Sequence, residues 1–230
     1  MYRRAQGLEI RVSRYTNNTV CYHTYMEKYV LDTNLLFNME ANLGFGKTTK
    51  AVMEGLTEAM KKAKASKSAE FLMPPRIIDE VMSFFEDKDE AFIKAFLEQI
   101  TIKSPDLGKN PVALHFLYEL VDDTRKRSYR GLQIAEEEFE TIAAQMMGKE
   151  SLAKKEFQMT IGKHIKGLRD RYRQATRAGF LDSLADLDLI VLAKEEAAYI
   201  VTTDEGVRRW GRLLGVKEMM SDIFAQKIAA

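Results

Sequence analysis

Short apolar runs alternate with helical patterns along most of this chain, and that alternation limits the possible folds more than any other feature. Tyr29-Val30-Leu31 ends at Asp32. Phe71-Leu72-Met73 is stopped by Pro74-Pro75. Ile100-Thr101-Ile102 forms a third run, and Ala198–Val201 leads into Thr202-Thr203-Asp204. Runs this short, with little polar alternation, read as strands buried on both faces. Between them the spacing predicts helices over about 48–65, after the proline pair around Ile77, Ile78, Val81 and Met82, and over about 89–99, 183–197 and 205–214. Such an order builds a parallel sheet covered by helices on both faces, an α/β fold. The alternation breaks once. From about 110 to 178 strand signals vanish, and the pattern predicts helices over His115–Thr124, Ile134–Met147 and Ser151–Ala178, with Gly162 and Gly167 as places for a bend in the last. The expected organisation is an irregular, polar extension over 1–25, an α/β domain from 26–108 and 179–230, and a helical insertion over 109–178.

Composition removes several function classes. Of 230 residues, 46% are hydrophobic, enough for a real core and against disorder. Lys and Arg number 35 against 34 Asp and Glu, which excludes an overall basic nucleic-acid coat and leaves room for a local basic patch. Cys21 is the sole cysteine, so neither an intrachain disulfide nor a thiolate-rich metal site can form. His23, His115 and His164 are scattered along the chain. A metal is therefore expected on carboxylates, which suits magnesium, with manganese as a substitute. No run approaches the roughly 20 apolar residues of a membrane span. The start does not read as a signal peptide, so no membrane partner and a cytoplasmic location are expected.

The carboxylates carry the chemistry. Asp32 and Asp204 each follow a strand, and open α/β sheets bind ligands beyond the carboxyl ends of their strands. Asp182 and Asp186 are four apart and share a helix face. Glu80 follows the second strand by a helical turn or more, while Asp188, Glu195 and Glu196 read as solvated. Clustered carboxylates repel unless protons or cations balance them, and a divalent cation on such a cluster generates a nucleophilic water and stabilises a leaving oxygen. The bland alternative stays open: Asp32 as a turn residue and Asp182 as a helix cap. Thr33, Asn34, Thr202 and Thr203 are candidates to orient the acids.

Two other motifs stand out in the chain. Gly44-Phe45-Gly46-Lys47-Thr48 resembles a phosphate loop, but that pattern needs glycine at 41, where the chain has Ala41, and a strand ending close by. The second motif is basic. Between 149 and 177 stand nine Lys and Arg against three acids, and Arg125, Lys126, Arg127 and Arg130 form a smaller cluster before them. Such a helix suits a phosphate backbone, which basic side chains grip without reading sequence. The candidate RNA contacts are Arg125, Lys126, Arg127, Arg130, Lys155, Lys163, Lys166, Arg169, Arg173 and Arg177, with Tyr172 placed to stack and His164 solvated or near RNA. Phe157, Ile161, Ile165 and Leu168 recur at helical spacing as a packing or self-association seam.

The pairing of VLDTN at 30–34 with SLADLDLIVLAKEEAAYIVTTDEG at 183–206 resembles the PIN nuclease superfamily. With the helical insertion included, the chain from about 26 to 228 resembles the small protein-only ribonucleases P of bacteria and archaea, formerly described as RNA ligase partner proteins. The resemblance implies a three-layer PIN-like α/β/α domain with a central parallel sheet and a long helical insertion. It implies catalytic acids at Asp32, Asp182, Asp186 and Asp204, with Glu205 beside them as a further metal-side carboxylate. It also implies magnesium-dependent removal of the 5′ leader of precursor tRNA without an RNA subunit, leaving a 5′ phosphate on the mature tRNA. The insertion would grip the tRNA, and the chain would assemble as a homo-oligomer of twelve subunits. Two rival readings are a toxin-like PIN endoribonuclease cutting RNA internally and a non-catalytic RNA-binding assembly partner.

Overall fold

The structure is a computed structural model that describes residues 4–5, 8–9, 26–38, 41, 43–109, 111–148, 150–181 and 183–229. Most of the expected extension over 1–25, with Cys21 and His23, lies outside the described residues. Within it, β1 (Arg4–Ala5) pairs antiparallel with β2 (Leu8–Glu9). The chain divides into two compact units, Met1–Pro111 with Ser183–Ala230, and Val112–Asp182.

The first unit is built on a five-stranded parallel sheet. Its strands are β3 (Glu27–Leu31), β4 (Ala69–Met73), β5 (Thr101–Ile102), β6 (Tyr199–Val201) and β7 (Lys217–Met219), in spatial order β5-β4-β3-β6-β7. The four expected strands are present. β7 is an addition: its Lys217-Glu218-Met219 is an edge strand with no apolar run to announce it. Val30, Leu31, Phe71, Leu72, Ile200 and Val201 are almost wholly buried, as central strands covered on both faces must be. The short α1 (Asn34–Phe37) follows β3 directly. One layer of helices comprises α2 (Thr49–Ala65), α4 (Ala91–Leu97) and α9 (Ser221–Ala229), which pack together; α3 (Pro75–Ser83), α7 (Leu184–Glu195) and α8 (Glu205–Leu213) pack together as the other. Together they form the three-layer α/β/α arrangement. Pro75 starts α3, where its missing N–H costs nothing. α7 buries Leu189 through Ala193, so it is apolar on nearly every side.

Three carboxylates expected in solvent are not there. Asp188, on α7, is buried and ion-paired with Arg76 of α3. Glu196 is bonded to Lys28 at the start of β3 and to Lys103 beyond β5, and Glu195 accepts the Asp106 N–H at 2.8 Å. The cause is tertiary: for each, an element distant in sequence supplies the opposite charge, which periodicity cannot show. Lys103, then Lys28, hold the Glu196 carboxyl below its ordinary range.

The second unit is a pair of helices, α5 (Leu114–Met146) and α6 (Lys154–Arg177). The sequence predicted three helices here, but residues 125–133 continue α5 without a break. At 1.5 Å per residue α5 is about 50 Å long. α6 runs unbroken through Gly162 and Gly167. The seam between the two combines apolar packing with polar bonds. Phe116, Gly131, Ile134 and Glu138 are the buried residues of α5, and α6 has none. A Cβ on Gly131 would lie 2.6 Å from the Tyr172 ring, so glycine there admits the ring. His164 is not solvated as expected: its Nδ1 lies 2.6 Å from Glu138 Oε1 and its Nε2 lies 3.1 Å from Gln145 Oε1. Arg171 bonds Glu137 and Glu138 across the same seam.

Candidate active site at the carboxyl edge of the sheet

β3 and β6 are neighbours, with Leu31 in register with Val201. From β3 the sheet extends one way through β4 and the other through β6, so the edge between β3 and β6 is the switch point where open α/β sheets bind ligands. The register places Asp32 beside Thr202, and the Asp32 N–H donates to the Val201 carbonyl at 3.2 Å.

Asp32 is 3% exposed. Its Oδ2 accepts hydrogen bonds from the Thr202 hydroxyl and, at 3.2 Å, from the Asn34 amide. Burial pushes the Asp32 carboxyl above its ordinary range and the neighbouring Asp204 adds to that; the Thr202 and Asn34 hydrogen bonds oppose it. The two acids therefore follow adjacent strands, β3 and β6. Asp204 caps α8, its Oδ1 accepting the Val207 N–H at 3.0 Å. The Thr202 hydroxyl also accepts the Asp204 N–H at 3.0 Å, so one threonine orients both acids. Asn38 donates to the Thr203 hydroxyl at 3.3 Å and thereby ties α1 to the same loop.

Asp186 lies in the first turn of α7, half-buried, where its N–H donates to the Ser183 hydroxyl at 3.0 Å. Ser183, not Asp182, therefore caps this helix. Asp182 lies outside the described residues. Glu80 accepts from the Thr33 hydroxyl at 3.1 Å, which brings it to the residue next to Asp32. Glu205 is held by its own helix: Arg208 and Arg212 both pair with it and lower its carboxyl, which occupies that group. Among the described residues no group of three His, Cys, Asp or Glu side chains is close enough together to hold a metal ion. The donors that do meet, Asp32 and Asp204, are oxygen ligands of the hard type magnesium takes, and a buried carboxylate beside a second one gains from a cation. The residues fit the group in chemistry.

The Gly44–Lys47 loop is no phosphate cradle of the nucleotide-hydrolysing type, since β3 ends well before it. It lines an open cavity with Leu35, Asn38 and Leu43, on the Asn38 side of the site.

In the helical unit the candidate RNA contacts separate into two kinds. Arg127 is a structural pin: it pairs with Asp123, donates to the Thr176 and Ala178 carbonyls and lies 4.8 Å from the Phe180 ring centre. Lys126 pairs with Asp122, Arg130 lies near Glu137, and Arg125 lies over Tyr129. Arg177 is exposed in the last turn of α6. Lys155, Lys163, Lys166, Arg169 and Arg173 are exposed and without an ion pair among the described residues. At about 100° per residue these five fall within an arc of about 120°, on the side of α6 away from His164 and Arg171. Tyr172, expected to stack on RNA, packs on Gly131 instead.

Residues 28–230 match the family described as PINc domain ribonuclease. Among curated proteins the chain is similar to the RNA-free ribonuclease P of Thermodesulfovibrio yellowstonii, 34% identical over 197 residues that cover 86% of this chain and 91% of that one. It is similar to the RNA-free ribonuclease P of Thermococcus kodakarensis, 33% identical with 86% and 92% covered, and to that of Hyperthermus butylicus, 34% identical with 82% and 81% covered.

Proposed function

Because the chain belongs to the PINc domain ribonuclease family, in the group of the RNA-free ribonucleases P, we propose that it is a cytoplasmic, metal-dependent endoribonuclease that removes the 5′ leader of precursor tRNA without an RNA subunit. The single observation behind the site assignment is the placement of buried Asp32 and of Asp204 just after adjacent strands, with Thr202 bonded to both. Asp32, Asp186 and Asp204, helped by Asp182, would hold magnesium, with manganese as a substitute. The ion, when bound, activates water for attack on the phosphodiester and stabilises the leaving oxygen. Thr202 and Asn34 hold the Asp32 carboxylate in one orientation, and the α8 cap fixes one Asp204 oxygen while leaving the other for a ligand. Attack by water with departure of the leader's 3′ oxygen leaves a 5′ phosphate on the mature tRNA. Glu205 is left outside the proposed metal set, since Arg208 and Arg212 pair with it.

The free cations of α6 suit the tRNA backbone, with phosphate contacts positioning the substrate. α5 carries an exposed apolar row, Leu114, Leu117, Val121, Leu132 and Phe139, with Phe139 74% exposed. That row supports self-association through this unit, and twelve subunits is the number the family resemblance implies. No helix among the described residues is long and apolar enough to cross a membrane.

The test is cleavage of 5′-labelled precursor tRNA with magnesium, with a chelator, and by the Asp32→Asn and Asp204→Asn variants. Asn keeps the α8 cap, so the second variant removes charge rather than fold. One cut at the mature 5′ end is expected, lost with chelation and reduced on the order of 10³-fold by either variant. A metal-dependent cut inside the tRNA, or no cut by assembled protein that binds tRNA, would sink the reading.

A further inference from the structure

α1 and α3 meet in two successive rungs, both in the sheet unit. In the first, Thr33 donates to Glu80 at 3.1 Å. Four residues on along each element, Phe37 meets Phe84, their rings stacked with centroids 4.1 Å apart and planes 24° apart. Residues four apart share a helix face, so the aromatic rung lies one turn, about 5.4 Å, beyond the one that adjoins Asp32. The stack is propped from below. Phe85 lies 5.7 Å from Phe37 and meets Phe92 edge-on at 5.8 Å, and Phe92 is buried. A chain of rings thus leads from the core to Phe84, which ends it 56% exposed.

An aromatic this exposed, held by rings behind it and one turn beyond the Thr33–Glu80 bond, has no evident role in the core. A nucleobase is a flat apolar partner of matching shape, and stacking tolerates any base because each has a π face. That tolerance suits a nuclease whose substrates differ in sequence around the cut. One helical turn corresponds to between one and two nucleotide rises of about 3.4 Å along a stacked strand. We propose that Phe84, backed by Phe37, is a stacking shelf for a nucleobase of the RNA strand beside the scissile phosphate. The proposal rests on the ribonuclease reading above and adds a positioning residue to it.

The experiment uses full-length protein and precursor tRNA carrying 2-aminopurine at single positions on either side of the cut. In the Asp32→Asn background, where RNA binds uncut, fluorescence at one flanking position is expected to be quenched. Adding Phe84→Leu, which keeps an apolar cover over Phe37 but removes the ring, is expected to abolish that quenching. Adding Phe84→Trp is expected to preserve it. In otherwise wild-type protein, Phe84→Leu is expected to raise KM about tenfold with kcat nearly unchanged. An abasic nucleotide at the quenched position should erase the difference between Phe84→Leu and wild type. Unchanged quenching and KM in Phe84→Leu would overturn the shelf, as would a defect of equal size on the abasic substrate. A loss of oligomer mass with quenching intact would assign Phe84 to a contact between copies instead. Failure of the wild type to cleave overturns the ribonuclease reading itself, whereas normal cleavage by wild type and Phe84→Leu alike overturns only the shelf.

Discussion

In the sheet unit, Val30, Leu31, Met53, Leu56, Phe71 and Trp210 are almost fully withdrawn from water, and the buried polar groups are few, with Asp32, Thr33 and Thr202 at the strand ends and Thr57 and Asp188 on helices. In the helical unit α6 buries nothing completely, and the seam depends on Glu138, His164, Gln145 and Arg171. The first arrangement is non-directional, closely packed and stiff, which holds two carboxylates in a fixed relation against their own repulsion. The second gives long exposed faces, one cationic and one apolar, at little core volume. The difference teaches where each task belongs: chemistry needs fixed oxygens, whereas a charged grip on a backbone needs reach.

The comparison can be tested at three strengths. Replacing Lys163, Lys166, Arg169 and Arg173 together by Gln removes four free cations from one side of α6. The expected outcome is precursor tRNA affinity lower by about 10²-fold near physiological salt, a shallower salt dependence of binding by roughly 3 in log–log slope, and little change in kcat at saturation. Filter binding across a salt series checks this; a loss of kcat with unchanged affinity would break the division between grip and chemistry. Next, Glu138→Gln weakens the acceptor shared by His164 and Arg171 and is expected to cost the hairpin about 1–3 kcal/mol. Hydrogen exchange should show α5 and α6 opening more readily while β3 and β6 keep their protection. Equal loss in both units would show one cooperative body.

The smallest effect probes the sheet unit's own ion pairs. Glu196 has a folded-state carboxyl below its ordinary value of 4.5, so its contribution is complete above that pH and is lost as pH falls through the lower folded value. Glu196→Gln is expected to destabilise the protein by about 1 kcal/mol at neutral pH, with the gap to wild type closing on acidification. Thermal melts at several pH values read this directly. A gap that widens in acid would mean the pairing with Lys103 and Lys28 is not what stabilises the site.

Much of the sheet unit was legible beforehand because its strands are continuous apolar runs and its acids follow them directly. VLD at 30–32 and VTTD at 201–204 announce both the strand end and the group delivered there. β7 was missed because an edge strand of Lys217-Glu218-Met219 carries no apolar run. The break expected in α5 came from its charged middle, Arg125 to Arg130, which a helix accommodates once its partner helix packs beside it. Arg127 read as an RNA contact because charge in sequence says nothing of which face it lands on.

By itself the sequence determined the α/β class, the strand ends that bear Asp32 and Asp204, and the local excess of cations, since each is written in nearest-neighbour pattern. Tertiary structure alone decided that β3 and β6 lie side by side, that Thr202 serves both acids, that Asp188 and Glu196 are held in ion pairs, and that Phe84 is stacked and still exposed. These depend on pairings between residues tens to more than a hundred positions apart, and such pairings follow from which surfaces the packed elements share, not from spacing along the chain.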